Sequence, residues 1–193
     1  MMSMNKIEVK PELAPFPKPV TIIGSLVDGR PNFANIVWVN RMNRSPNIWA
    51  VSINHKHHTL KGIKQNNTFS VNIPDTQLAE KTDFVGLVSG RDVDKSTVFD
   101  VFYGSLKTAP MIQECPITAE CTVHEIIDLS DHAVVLGVVK HIYSEEQYLT
   151  DGHLDPKRFD PIVFTRPGPI GRYWKLGSGV GQAWSIGKKL IDE

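Results

Sequence analysis

The chain has 193 residues, enough for one domain to bury roughly 70% of its unfolded surface without disulfides or a structural metal. Lys plus Arg is 21 and Asp plus Glu is 21, so the basic surplus that nucleic-acid binding draws on is missing. Two cysteines, Cys115 and Cys121, are too few for a disulfide scaffold, and no apolar run is long enough to span a bilayer.

The chain reads as a single domain over 1–193. Residues 1–15 form an extended lead-in with Pro11 and Pro15, and they lack the apolar stretch of a secretory signal, so the cytoplasm is the expected compartment. Val20 to Val27 is rich in β-branched residues and ends at Asp28-Gly29-Arg30-Pro31-Asn32, a turn signal. Phe33 to Met42 alternates, which predicts one strand with Ala34, Ile36, Trp38, Asn40 and Met42 on a shared face. Ile48 to Asn54 is a third strand. From Thr59 to Asn66 the period changes, and Leu60 and Ile63 mark a short helix. Thr68 to Pro74 returns to a strand, 76–88 is helical around Leu78, Phe84 and Val85, and 89–95 is a polar loop.

Pro116 to Leu129 alternates, with Ala119, Cys121, Val123, Ile127 and Leu129 on one face and only Glu125 interrupting. His132 to Tyr143 is apolar on both faces and so needs cover on both. In a small barrel a second copy of the chain is the expected cover, which predicts a homodimer. The tail, 151–193, is loop-rich. Many strands, hairpin turns and a few short helices predict a mainly β, antiparallel, closed or nearly closed barrel.

Two segments carry chemistry. Ser52 to Thr59 joins a strand end to a helix start, where free backbone N–H groups favour an anion such as phosphate, with Ser52, Lys56 and Thr59 as further donors. On this stretch alone, Thr59 reads first as a plain helix cap. Ser89-Gly90-Arg91-Asp92-Val93-Asp94-Lys95 sets cations around a flexible turn. Either Arg91 or Lys95 faces a phosphate or an electron-rich ring, or the loop is solvated and pairs its own charges. Lys95 ends this loop, which predicts slight burial. Trp38 and Asn40 on one strand face offer a π surface beside an amide, as a flat heterocycle requires, though Trp38 also reads as ordinary core.

These segments, with Pro19-Val20-Thr21, Asn35-Ile36-Val37-Trp38, Ala50-Val51-Ser52-Ile53, His58-Thr59, Phe69-Ser70-Val71-Asn72-Ile73-Pro74, Glu114-Cys115-Pro116, Glu120-Cys121 and Ser130-Asp131-His132, resemble the flavin reductase-like and flavoredoxin family in order and spacing over about 16–145. The resemblance implies an FMN-binding split β-barrel, antiparallel and Greek-key-like, with FMN held non-covalently at a dimer interface. Members are NAD(P)H-dependent flavin or ferric reductases, or FMN electron carriers. The partner is then a small-molecule donor, NADH or NADPH, or a redox protein. By position, Asn32, Trp38 and Asn40 would line the ring, and Ser52, Asn54 and Thr59 the phosphate and ribityl end. Ser89, Arg91 and Lys95 would approach the phosphate or the polar edge of the ring. His132 would reach the ring and is the candidate proton donor. The chain departs from the family at Arg41-Met42-Asn43-Arg44, beside the substrate side of the ring. Phe164, Tyr173 and Trp174 are further possible ring neighbours.

Other signals carry less. His55, His57 and His58 fit no zinc spacing. Gly177-Ser178-Gly179-Val180-Gly181 has no room for a βαβ unit, and Ser185-Ile186-Gly187-Lys188 lacks companion motifs. Cys115 and Cys121 read as small core residues rather than a redox pair.

Overall fold

The computed structural model describes residues 6–8, 16–166 and 169–191; most of the lead-in lies outside them. A two-residue strand, β1 (Lys18–Pro19), precedes the hairpin of β2 (Thr21–Val27) and β3 (Arg30–Ile36). Asp28 (φ 50°) and Gly29 (φ 80°) are both left-handed at its tip, the geometry that a two-residue turn needs to match strand twist. Lys61 and Gln65 hold the Asp28 carboxylate at 2.6 and 2.9 Å.

The predicted strand over 33–42 is broken. β3 stops at Ile36 and β4 (Val39–Asn43) begins after Val37 and Trp38. Ala34 and Ile36 are buried, whereas Trp38 and Asn40 are exposed, so the shared face changes side at the break. β5 (Ile48–Asn54) leads into α1 (His58–Asn66), then β6 (Thr68–Ile73) and α2 (Ala79–Leu87). A small hairpin, β7 (Val101–Phe102) and β8 (Met111–Ile112), precedes the long pair β9 (Ile117–Asp128) and β10 (His132–Tyr143). The tail is more regular than its composition predicts: β11 (Leu149–Thr150) pairs with β12 (His153–Leu154), and β13 (Ile162–Thr165) lies between β1 and β14 (Arg172–Lys175).

Seven strands form one antiparallel sheet in the order β3-β2-β6-β9-β10-β5-β4. Its two edges, β3 and β4, are consecutive in the chain and joined by Val37 and Trp38 alone, so the sheet curls nearly shut and splits there. Inside, Ile23, Val51, Ile53, Ile63, Phe69 and Val135 form the main core. α1 plugs one end through Leu60 and Ile63, each worth about 1.5–3 kcal/mol on burial. Gly62 lets the helix lie against the Leu26 carbonyl of β2, where any Cβ would collide. A second core under α2 joins Ile22, Phe33, Val85 and Phe99. Phe84 of α2, read from sequence as an apolar helix position, is exposed.

β9 does not hold one phase. Val123 pairs with Gly137 and Glu125 with Leu136, leaving His124 as a bulge. Ala119 and Cys121 are buried on the inner side, but beyond the bulge Ile126 packs inward while Ile127 and Leu129 are exposed. The face predicted to run from Ala119 to Leu129 is therefore two faces, because one extra residue inverts the alternation. On β10, Ala133 and Val135 point into the core, and Val134, Leu136 and Val138 take the outer side. Both cysteines are free and buried, and burial raises both thiols, Cys121 to about 12.

Candidate functional site

β5 runs past two clefts, one beside its middle and one just beyond its end. The first, about 680 Å³, is mainly apolar and is lined by Trp38, Val39, Asn40, Ala50, Ser52 and Val134, with Phe16 to Pro19 as its lip. The break after β3 turns Trp38 outward, and its carbonyl accepts the Ser52 N–H at 2.9 Å. Trp38 is half exposed, and the His132 ring lies 4.8 Å from it at 35°. Asp131 contacts His132 Nδ1 at 2.9 Å, which holds the Asp131 carboxyl below its ordinary value. The turn bearing both is tied to the end of β5: His55 N–H donates to the Asp131 carbonyl, and His55 Nε2 meets the Leu129 carbonyl at 2.9 Å.

The second cleft, about 190 Å³, is polar. Asn32, Lys56, His57, His58, Thr59, Ser89, Gly90 and Lys95 line it around the N-terminus of α1. That helix start has no side-chain cap and no acidic residue in its first turn, so its leading N–H groups stay available to an anion. Thr59 therefore does not cap the helix. Its buried Oγ1 accepts from Asn32 Nδ2 at 2.7 Å, which leaves the hydroxyl proton to give. His58 Nδ1 is buried without a hydrogen-bond partner. Burial pushes both His57 and His58 below the ordinary imidazole range, with Lys95 adding at the first and Arg91 at the second. An adjoining cleft of about 460 Å³ shares Asn32, His58, Gly90 and Lys95 and brings Arg30 and Arg91 to the same region.

The fold thus brings the predicted residues into two groups, with Trp38, Asn40, Ser52 and His132 at or beside the apolar cleft, and Asn32, Thr59, Ser89, Arg91 and Lys95 at the polar ones. Asn54 stands between, its Oδ1 accepting the Lys56 N–H at 3.0 Å. Ser89 Oγ accepts the Arg91 N–H, and the Arg91 guanidinium donates to the Lys56 carbonyl at 2.8 Å, closing the loop over the helix start. Lys95 corrects the sequence expectation. It is 4% exposed, and its ammonium donates to the carbonyls of Phe33 (3.0 Å) and Val85 (2.7 Å), so burial lowers it to about 8. Phe164, Tyr173 and Trp174 do not line the apolar cleft. The Tyr173 hydroxyl instead bonds Asp83 and Asn35 at α2 and β3. Sequence reasoning missed Val134, Asp131 and Arg30 as site residues, and it missed the contact of Gly90 against Asn32, where a Cβ could not fit.

A curled antiparallel sheet with an open-ended helix at one end of β5 and an aromatic cleft at its side defines a split barrel. Residues 13–164 match the flavin reductase like domain, and the chain belongs to the flavin reductase-like family. Among solved structures it is similar to the flavoredoxin from Methanosarcina acetivorans, at 43% identity and TM-score 0.93, covering 96% of this chain and 99% of that one. It is also similar to the flavoredoxin of Desulfovibrio vulgaris (Miyazaki F), at 27% identity and TM-score 0.85 over 95% and 100%. An FMN-binding protein from Thermus thermophilus shares the fold at 23% identity and TM-score 0.78 over 94% and 99%. The chain spans 56% of the length of a curated relative from Aeropyrum pernix, 26% identical over 74% of this chain.

Proposed function

We propose that the protein binds FMN non-covalently and carries electrons through it, in the manner of a flavoredoxin. The observation that carries this reading is the pairing, along one strand, of an apolar cleft under Trp38 with a polar cleft at an uncapped helix start. The residues fit the ligand. His58 Nδ1 lacks a partner that an incoming phosphate could supply, Thr59 keeps a free hydroxyl proton, and the absence of a side chain at Gly90 lets the 89–95 loop pack on Asn32 beside the helix start. Bound FMN would supply electron transfer, or hydride acceptance, at its ring.

The chain's own residues bind and orient. Trp38, backed by His132, offers a flat wall, and Asn40 and Ser52 add hydrogen bonds beside it. Lys56, Arg91 and the α1 N–H groups would hold the phosphate. Lys95 lines the same cleft, with one N–H left after its bonds to the Phe33 and Val85 carbonyls. Asp131 engages His132 through Nδ1, which leaves Nε2 as the nitrogen able to exchange a proton.

A second reading, an NAD(P)H-dependent flavin reductase with His132 as proton donor, is favoured by the openness and size of the Trp38 cleft, about 680 Å³. We also infer a homodimer, since Ile127 and Leu129 are exposed beside the outer residues of β10.

Titrating apoprotein with FMN and with riboflavin tests the core of the proposal. FMN is expected to bind at least ten times more tightly, and equal affinities would remove the phosphate assignment. Anaerobic stopped-flow mixing with NADH and NADPH then separates the readings. A carrier keeps its flavin oxidised on the seconds scale, and a reductase bleaches.

A further inference from the structure

After β14 the chain leaves the barrel as an arm over 176–191. Its backbone hydrogen bonds, among the described residues, stay inside it: Ser185 and Ile186 donate to the Gln182 carbonyl, Lys188 to Ser185, and Leu190 to Gly187. The arm nevertheless carries large apolar side chains, with Val180 and Trp184 more than nine-tenths exposed and Leu190 and Ile191 also facing solvent. Apolar surface of this density marks a contact surface.

The complementary surface is the outer face of β4, β5, β9 and β10, with Trp38, Ile127, Val134 and Leu136. The arm leaves close to it, because β14 pairs with β13, β13 with β1, and the residues around β1 form the lip of the Trp38 cleft. The arm does not turn back onto this face. The match to the Methanosarcina acetivorans flavoredoxin covers 96% of the residues, and the unmatched remainder is shorter than the arm, so that relative has a counterpart to part of it. Apolar side chains that the chain's own barrel leaves uncovered gain from cover supplied from outside.

We propose that the arm crosses to a second copy of the chain, laying Trp184 on that copy's outer face beside the Trp38 cleft, so that each cleft gains a wall from the other subunit. A two-fold pair satisfies both needs at once, since each copy gives an arm and receives one. The inference rests on the homodimer reading and is independent of which flavin binds.

The test uses the full chain. In one arm, sedimentation measures the dimer dissociation constant of the native protein and of Trp184→Ala, with at least a tenfold rise expected for loss of a buried tryptophan. In the other, Ser178→Cys carries a nitroxide (both native cysteines are buried) and is mixed with isotope-labelled, unmodified protein. Broadening of Ile127, Val134 and Leu136 signals in the unmodified copy is expected. A monomer at micromolar concentration overturns the dimer and the arm together. A dimer unaffected by Trp184→Ala, or one without broadening between copies, overturns the arm alone.

Discussion

Lys95 shows how far a single residue can depart from its sequence context. It ends a run of charged loop residues, yet its stem passes inward and its ammonium ties β3 to α2 through the Phe33 and Val85 carbonyls. Nothing in the sequence distinguishes a lysine that leaves a loop outward from one that leaves it inward; the two carbonyls come from 62 and 10 residues away. The consequence is a pH dependence with a definite sign. The unfolded chain keeps this proton up to the ordinary lysine value, whereas the folded chain releases it near 8. Between those values the unfolded state binds more protons, so stability rises with pH, by up to about 3 kcal/mol from this group. Urea unfolding from pH 7.5 to 10 should show the native protein gaining on Lys95→Met; parallel curves would mean the amine is not held as described. Trp38 and Asn40, by contrast, share a side as their alternation predicts, although the strand break separates them from Ala34 and Ile36. Trp38→Ala should weaken FMN binding about tenfold or more and change the flavin spectrum, through loss of a ring wall of roughly 1–3 kcal/mol. Titration of apoprotein would show it, and an unchanged spectrum would place the ring elsewhere.

Most element positions were readable because their periods are clean: β5 runs Ile48–Asn54 as alternation predicts, and α1 starts within a residue of its predicted place. The misreadings fall where pairing is interrupted. The break at Val37 and Trp38 and the bulge at His124 leave no mark in a pattern of apolar residues, because each depends on the register of a neighbouring strand. The seating of α1 is likewise invisible in its own sequence. Gly62 reads as a helix-weakening residue, but it lies against the Leu26 carbonyl, and Ser25 Oγ donates to the Thr59 carbonyl at 2.9 Å nearby. Gly62→Ala should therefore destabilise by about 1–3 kcal/mol despite alanine's better helix propensity. It should also loosen FMN binding, since α1 carries the anion-facing N–H groups. Urea midpoints and FMN titration on the one variant would show both effects; a stabilised protein would mean the helix has room to spare.

As a whole, the molecule is a barrel finished on the inside and unfinished on one outer side. The bare strand face, with Ile127 and Leu129 exposed beside the outer residues of β10, is where the proposed contact between copies would lie. Ile127 is already 42% exposed, so Ile127→Asp should cost the single chain little while placing a carboxylate in the contact between copies. Light scattering should give a monomer with native circular dichroism, and a persistent dimer would move the contact to another face. The bulge at His124 decides where that face begins. Up to it, odd-numbered residues of β9 face the core; past it they face outward. Outer face and interior are thus separated along one strand by a phase and hardly at all by composition. Substitution can adjust either side gradually, but losing one residue here would exchange the two in a single step. Chain length through this strand should accordingly be more resistant to change than any side chain in it.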